Sequence, residues 1–162
     1  CEDGVVRVFD RHGTLIQRFD EHQGQVNAIV WNRNTELLWD FASASADGTV
    51  RLWQLPEVPR KGEPSPAESL AVLQSGGTKI WSLDAVPDEP LLIAGTESGK
   101  VVLWSGRESM PLGILDGHHA PVWSVSVGPA GSQLWTGGWD GTVRRWDVSN
   151  AEWMHSGNTI DH

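Results

Sequence analysis

Two sets of polar side chains stand out by type and order: His22, Ser43 and Asp47, and His118, Thr136 and Asp140. A hydroxyl, an imidazole and a carboxylate can together perform nucleophilic acyl transfer, the imidazole acting as base and the carboxylate orienting it. No strained nucleophile turn of the Gly-x-Ser-x-Gly kind accompanies either set, which argues against a hydrolase. The adjacent His118 and His119 raise metal binding instead. Neighbours on an extended strand point to opposite faces, and no third ligand recurs at a fixed offset. His118 therefore reads as structural and His119 as solvated. The single cysteine, Cys1, permits neither an internal disulfide nor a thiolate metal site. No glycine-rich phosphate loop, paired-carboxylate motif or basic-aromatic stripe is present. No catalytic residue, cofactor or metal is expected.

The elements that carry these residues recur along the chain. Asp3-Gly4-Val5-Val6-Arg7-Val8-Phe9-Asp10, Asp47-Gly48-Thr49-Val50-Arg51-Leu52-Trp53-Gln54, Ser98-Gly99-Lys100-Val101-Val102-Leu103-Trp104-Ser105 and Asp140-Gly141-Thr142-Val143-Arg144-Arg145-Trp146-Asp147 share one shape. Their closing aromatics, Phe9, Trp53, Trp104 and Trp146, are spaced by 44, 51 and 42 residues. Each segment opens on Asp-Gly or Ser-Gly and then alternates, as a tight hairpin turn entering a strand does. Short apolar runs precede and follow these segments, and helical spacing appears nowhere. The pattern predicts four-stranded antiparallel meanders. The longest spacing contains Pro56, Pro59, Pro64 and Pro66, and Glu57–Glu68 reads as a solvated loop insertion.

Composition bounds the class of molecule. With 162 residues, 39% hydrophobic and 20% charged, the chain is an ordinary folded one. Its apolar runs are too short for a membrane-spanning helix. A net charge of −9 argues against a nucleic-acid partner, which selects basic patches. Ten tryptophans put much of the apolar surface into large rings. With one cysteine and no visible leader, the chain is expected inside the cell, in the cytoplasm or alternatively the nucleus.

A meander of this length cannot bury both faces unaided, so the units must stack around an axis, as in a β-propeller. Asp116-Gly117-His118 followed by Asp140-Gly141 and Trp146-Asp147, and Glu21-His22 followed by Asp47-Gly48 and Trp53, resemble the WD-repeat (WD40) family over almost the whole chain. The resemblance implies an all-β propeller of four-stranded blades: a half blade at 4–19 and blades at 25–74, 78–116 and 120–155. The run Glu152–His155 falls where the final strand is expected. These are about three and a half blades, whereas propellers resembling this one have seven and need about 300 residues. The segment is accordingly read as part of a larger propeller, completed by missing sequence or by another chain.

By the same resemblance, His22, Ser43, Asp47 and Trp53 form a structural hydrogen-bonded network in one blade, and His118, Thr136, Asp140 and Trp146 in another. The intervening blade departs from the pattern. It has Gly76-Gly77, Ala94 and Ser98 at the network positions and keeps Trp104, so weaker support and greater mobility are expected there.

The resemblance further implies a partner-binding face bearing the loops that lead into first strands and join second to third strands. Its positions here are Gln25, Asn27 and Ala46, then Lys79, Trp81 and Glu97, then Pro121, Trp123 and Trp139. Tryptophan combines apolar area with an N–H donor and is enriched at binding hot spots, so Trp81, Trp123 and Trp139 are singled out, Trp139 foremost. The competing reading packs these rings between blades. Trp31, Trp39 and Trp135 fall within strands or at their lower ends, where burial is expected. The function expected is a non-catalytic platform for protein or peptide partners. The alternatives are an accessory or sensory domain of a multidomain enzyme and a substrate receptor of a ubiquitin ligase. The last is disfavoured because Val148-Ser149 follows Trp146-Asp147 where such receptors carry Arg or Lys.

Overall fold

In the computed structural model, residues 2–34, 36–56, 67–87, 89–107, 109–129 and 131–148 are described. All regular structure among them is antiparallel strand. β1 (Val6–Phe9) and β2 (Leu15–Phe19) form a two-stranded sheet. β3 (Val26–Trp31), β4 (Phe41–Ser45), β5 (Thr49–Trp53) and β6 (Ala71–Gln74) pair in chain order. β7 (Ile80–Ala85), β8 (Leu91–Thr96), β9 (Lys100–Ser105) and β10 (Pro111–Asp116) do the same. β11 (Val122–Val127), β12 (Gln133–Gly138) and β13 (Val143–Asp147) make the last sheet. The all-β architecture of propeller blades expected from the sequence is present, and the sheets do not close into a ring. Glu152–His155 and residues 57–66 of the proline-rich loop lie outside the described residues.

Local chemistry sets the hairpins. Gly48, Gly99 and Gly141, the second residues of the repeated turns, have φ of 84°, 83° and 78°, a region that costs other residues energy. Gly99 has a further reason to lack a side chain, since a Cβ there would collide with the carbonyl of His118. The turn of one sheet thus abuts the loop that enters the next.

Between the four sheets lie three apolar layers. Val6, Phe19, Val26, Phe41 and Trp53 fill the first. Ala42, Val50, Leu52, Leu73, Ile80, Leu92 and Trp104 fill the second. Ile93, Val101, Leu103, Leu115, Val122, Leu134 and Trp146 fill the third. Each marker tryptophan packs toward the preceding sheet, and each is essentially buried. Phe9, the fourth marker, has no preceding sheet among the described residues and is 54% exposed. Enclosing an apolar side chain such as Phe19 or Leu92 contributes roughly 1.5–3 kcal/mol. First strands of adjacent sheets are also stitched by polar bonds. Asn27 Nδ2 donates to the Ile80 carbonyl (2.7 Å), Ser82 Oγ to the Val122 carbonyl (3.3 Å), and Val127 N to Asp84 Oδ2 (2.8 Å).

At one end of the sheets, His22 and His118 tie loop to strand to turn. His22 Nδ1 lies 2.9 Å from Asp47 Oδ2 and Nε2 lies 2.8 Å from Ser43 Oγ, which accepts Trp53 Nε1–H at 2.7 Å. An ionised carboxylate only accepts, so Nδ1 carries the proton and the Ser43 hydroxyl donates to Nε2. Every polar atom in the line is then satisfied. His118 repeats the arrangement, with Asp140 at 2.9 Å, Thr136 at 2.8 Å and Trp146 Nε1–H on Thr136 at 2.9 Å. Burial alone would raise the Asp47 carboxyl. Donors from Thr49, the Gln23 backbone and His22 outweigh that and hold it at about 2. The Thr142 hydroxyl chiefly holds Asp140 well below the usual carboxylate range, and burial lowers His22.

The third sheet lacks this network. Thr96 Oγ1 instead meets Ser98 Oγ at 3.0 Å and donates to the Lys100 carbonyl at 2.8 Å, and Trp104 Nε1 has no acceptor among the described residues. Its enclosure comes from apolar neighbours on both sides. β8, like β4, is buried at every position, whereas β12, with a neighbour on one side, alternates. This packing gives no support to the greater mobility expected of that blade.

A second expectation needs correction. Trp39 is buried, but Trp31 and Trp135 are 56% and 45% exposed. Trp31 stacks on Phe41 at 6.5 Å and 10°, on a face of β3 that no inner strand covers among the described residues, where the β1–β2 sheet has two strands. Trp135 lies on the face of the last sheet turned away from β7–β10, which carries no neighbouring sheet among the described residues.

Asp47→Ala would leave His22 Nδ1, Gln23 N and Thr49 without their acceptor. The expected cost is roughly 1–3 kcal/mol, a melting temperature lower by roughly 2–12 °C, with Asp140→Ala moving in the same direction; an unchanged melt for both variants would remove the network from the stability of the fold. The linkage with pH follows from the shifts. His22 is lowered on folding, so the unfolded chain binds the extra proton and stability falls as pH drops below roughly 6.5. Asp47 and Asp140 are lowered too, so stability falls again from roughly pH 4 toward 2. Thermal melts from pH 8 to pH 3 should show both declines.

Candidate interaction face

The end of the sheets that carries the His networks gathers the expected binding positions. In each of three sheets the residue before the turn Asp or Ser bonds to the residue two before the ring or amide position. Ala46 N donates to the Gln25 carbonyl, Glu97 N to the Lys79 carbonyl and Trp139 N to the Pro121 carbonyl, each at 2.8 Å. Loop and turn positions far apart in the chain therefore share one surface. Gln25, Lys79 and Glu97 are exposed, and Ala46 and Pro121 are partly buried. Lys79 Nζ sits 3.3 Å from Glu97 Oε1 in a solvated ion pair. Asn27 is committed to the Ile80 carbonyl, so its amide reinforces the joint between sheets.

The three rings meet. Trp81 stacks on Trp123 across the joint between two sheets, with centroids 4.6 Å apart and an interplanar angle of 23°. Trp139 meets Trp123 edge-on, at 5.5 Å and 78°. Trp123 is 48% exposed and Trp139 70% exposed, while Trp81 is half-buried with its Nε1 enclosed and without an acceptor among the described residues. Trp81 thus packs at the joint between sheets, and the other two rings are open to solvent. Stacking fixes Trp123, and Trp139 rests on it, so the surface is a preformed aromatic ledge.

The histidines of the His–Asp sets are enclosed. The side chains of His22 and His118 are 0% exposed, and His119 beside them is solvent-facing. Among the described residues no group of three or more His, Cys, Asp or Glu is placed to hold a metal ion. No helix there is long and apolar enough to cross a membrane.

At the opposite ends of the first strands, a cavity of about 290 Å³ opens among Val30, Trp31, Arg33, Asp84, Val86 and Val127. Sequence reading missed it because Trp31 was expected to be buried. The signal available was Arg33, two residues beyond Trp31 at the end of β3. The Asp84 oxygens there are occupied by the backbone N–H groups of Ala85 and Val127.

Comparison with known proteins fits this geometry. The family model "WD domain, G-beta repeat" matches residues 13–54, 67–105 and 109–147. Each match runs from the outermost strand of one sheet through the first three strands of the next, so sequence units and sheets are offset by one strand. The chain is 33% identical over 151 residues to Periodic tryptophan protein 2 of Arabidopsis thaliana, covering 91% of the chain and 15% of that protein. It is 24% identical over 150 residues to B-type cell cycle switch protein ccs52A of Medicago truncatula, covering 90% and 29%. It is 28% identical over 119 residues to Protein groucho of Drosophila melanogaster, covering 72% and 15%. The chain therefore spans less than a third of each of these relatives. With three repeats matched over most of its length and strands paired accordingly, the chain belongs to the WD-repeat (WD40) family.

Proposed function

We propose that this chain is part of a non-catalytic platform that holds protein or peptide partners on the face bearing Trp81, Trp123 and Trp139, with Gln25, Asn27, Ala46, Lys79, Glu97 and Pro121 around them. The observation that carries this reading is the contiguous ledge, in which Trp123, 48% exposed, stacks on the half-buried Trp81 and Trp139, 70% exposed, rests on Trp123. Exposed aromatic area held rigid by its neighbours is what binding hot spots use, since little side-chain entropy is lost on docking. The enclosed histidines support a non-catalytic role, because their ring nitrogens are spent on Asp, Ser and Thr. A net charge of −9 favours protein over nucleic-acid partners. An intracellular setting goes with this role, and sequence beyond these residues or a second chain would complete the ring.

Trp139→Ala tests the reading. Capture of partners from an extract of the source cells should fall roughly tenfold or more, while the melting temperature stays within roughly 2 °C of the parent. Unchanged capture, or a steep fall in the melt, would assign Trp139 to structure instead.

A further inference from the structure

The electrostatics of the ledge say which side chain it is suited to receive, given that it is the docking surface. An indole presents its negative π face to whatever approaches in plane-on contact. Trp139 leaves most of its surface free, and Trp123 about half. The stack of Trp81 on Trp123 is closed at 4.6 Å, so nothing inserts between those two rings, and Trp139, which meets Trp123 edge-on and is 70% exposed, offers the largest open ring surface. The charges around them reinforce the sign. Asp140 follows Trp139 directly and is held ionised by Thr142 and its other donors. Glu97 is exposed on the adjacent sheet. Among the binding positions Lys79 is the one cation, and Glu97 already engages it. The chain as a whole carries −9. Carboxylates, π faces and net charge all repel an acidic group and attract a cation.

We propose that the Trp123–Trp139 ledge receives a cationic side chain of the partner, with a planar guanidinium stacking on the open Trp139 ring and the exposed Glu97 of the adjacent sheet supplying a countercharge. Arginine fits better than lysine because its flat, weakly hydrated head stacks on a ring while its donors remain free for carboxylates. The Lys79–Glu97 pair then acts as an internal competitor: the incoming cation shares or displaces Lys79 at Glu97.

Blocked heptapeptides of glycine and serine around one central residue test this, with the indole N–H resonances of the protein as readout. A central arginine should give saturable shifts at Trp123 and Trp139, with affinity roughly threefold or more above the uncharged isostere citrulline, and above norleucine and glutamate. Raising the salt concentration should weaken the arginine peptide. Trp139→Ala should abolish the preference and Glu97→Gln should reduce it. Lys79→Ala, an exposed change that does not touch the core, should strengthen arginine binding by freeing Glu97. Citrulline or norleucine binding as well as arginine, or no shift with any peptide while Trp139→Ala still loses partner capture, would overturn the cation and leave the docking face standing. Partner capture undiminished in Trp139→Ala would remove the docking face itself.

Discussion

A four-stranded sheet has two faces, and a unit of some forty residues has no second layer of its own to cover either. Burial of one sheet by the next is therefore the constraint behind the rest of the structure. Its effect is visible where it is met and where it is not. The sheets with neighbours on both sides have second strands buried at every position, and their interiors hold Trp53 and Trp104 with no exposed surface. The outer sheets expose Phe9, Trp135 and Val143, and the second sheet exposes Trp31 where the two strands β1 and β2 leave β3 uncovered among the described residues. The polar network comes after this packing. Where it is missing, in the third sheet, apolar contact on two sides suffices to enclose a tryptophan whose N–H finds no acceptor among the described residues.

The His–Asp–hydroxyl–Trp lines do a different job. They fix the loops and turns at one end relative to the strands, and so turn that end from a set of flexible connections into a surface with a defined shape. Backbone bonds at 2.8 Å then place the residue before each turn against the loop that enters the same sheet. Side-chain bonds such as Asn27 to Ile80 join one sheet to the next. The ledge of Trp81, Trp123 and Trp139 inherits its rigidity from this scaffold.

How much of this was legible in the sequence depends on the range of the interaction. Turn glycines, alternating strands and the spacing of Phe9, Trp53, Trp104 and Trp146 are local signals, and they led to the meanders and to the family. That the loop and turn positions of successive sheets lie at the same end was legible through the repeat, because each sheet reuses the same backbone bond between turn and loop. The ring contacts were not. Trp81 and Trp123 occupy matching places in two repeats, and nothing in either repeat states that the rings meet at 4.6 Å. The exposure of Trp31 and Trp135 was illegible for a related reason. Their strands alternate as any blade strand does, and burial is decided by whether another sheet lies opposite. The cavity beside Trp31 was hidden by the same assumption.

The one-strand offset between sequence repeats and sheets has a mechanical meaning. Each repeat donates its opening strand to the sheet before it, so the link between neighbouring sheets is a strand shared in hydrogen bonding as well as a covalent connection. Tension applied along the chain would load those ladders in shear, many bonds at once, before any joint between sheets could peel apart. Loss of a whole repeat would likewise leave the strand-sharing rule intact at the new junction, so arrays of this kind can change their number of units without inventing a new way to join them.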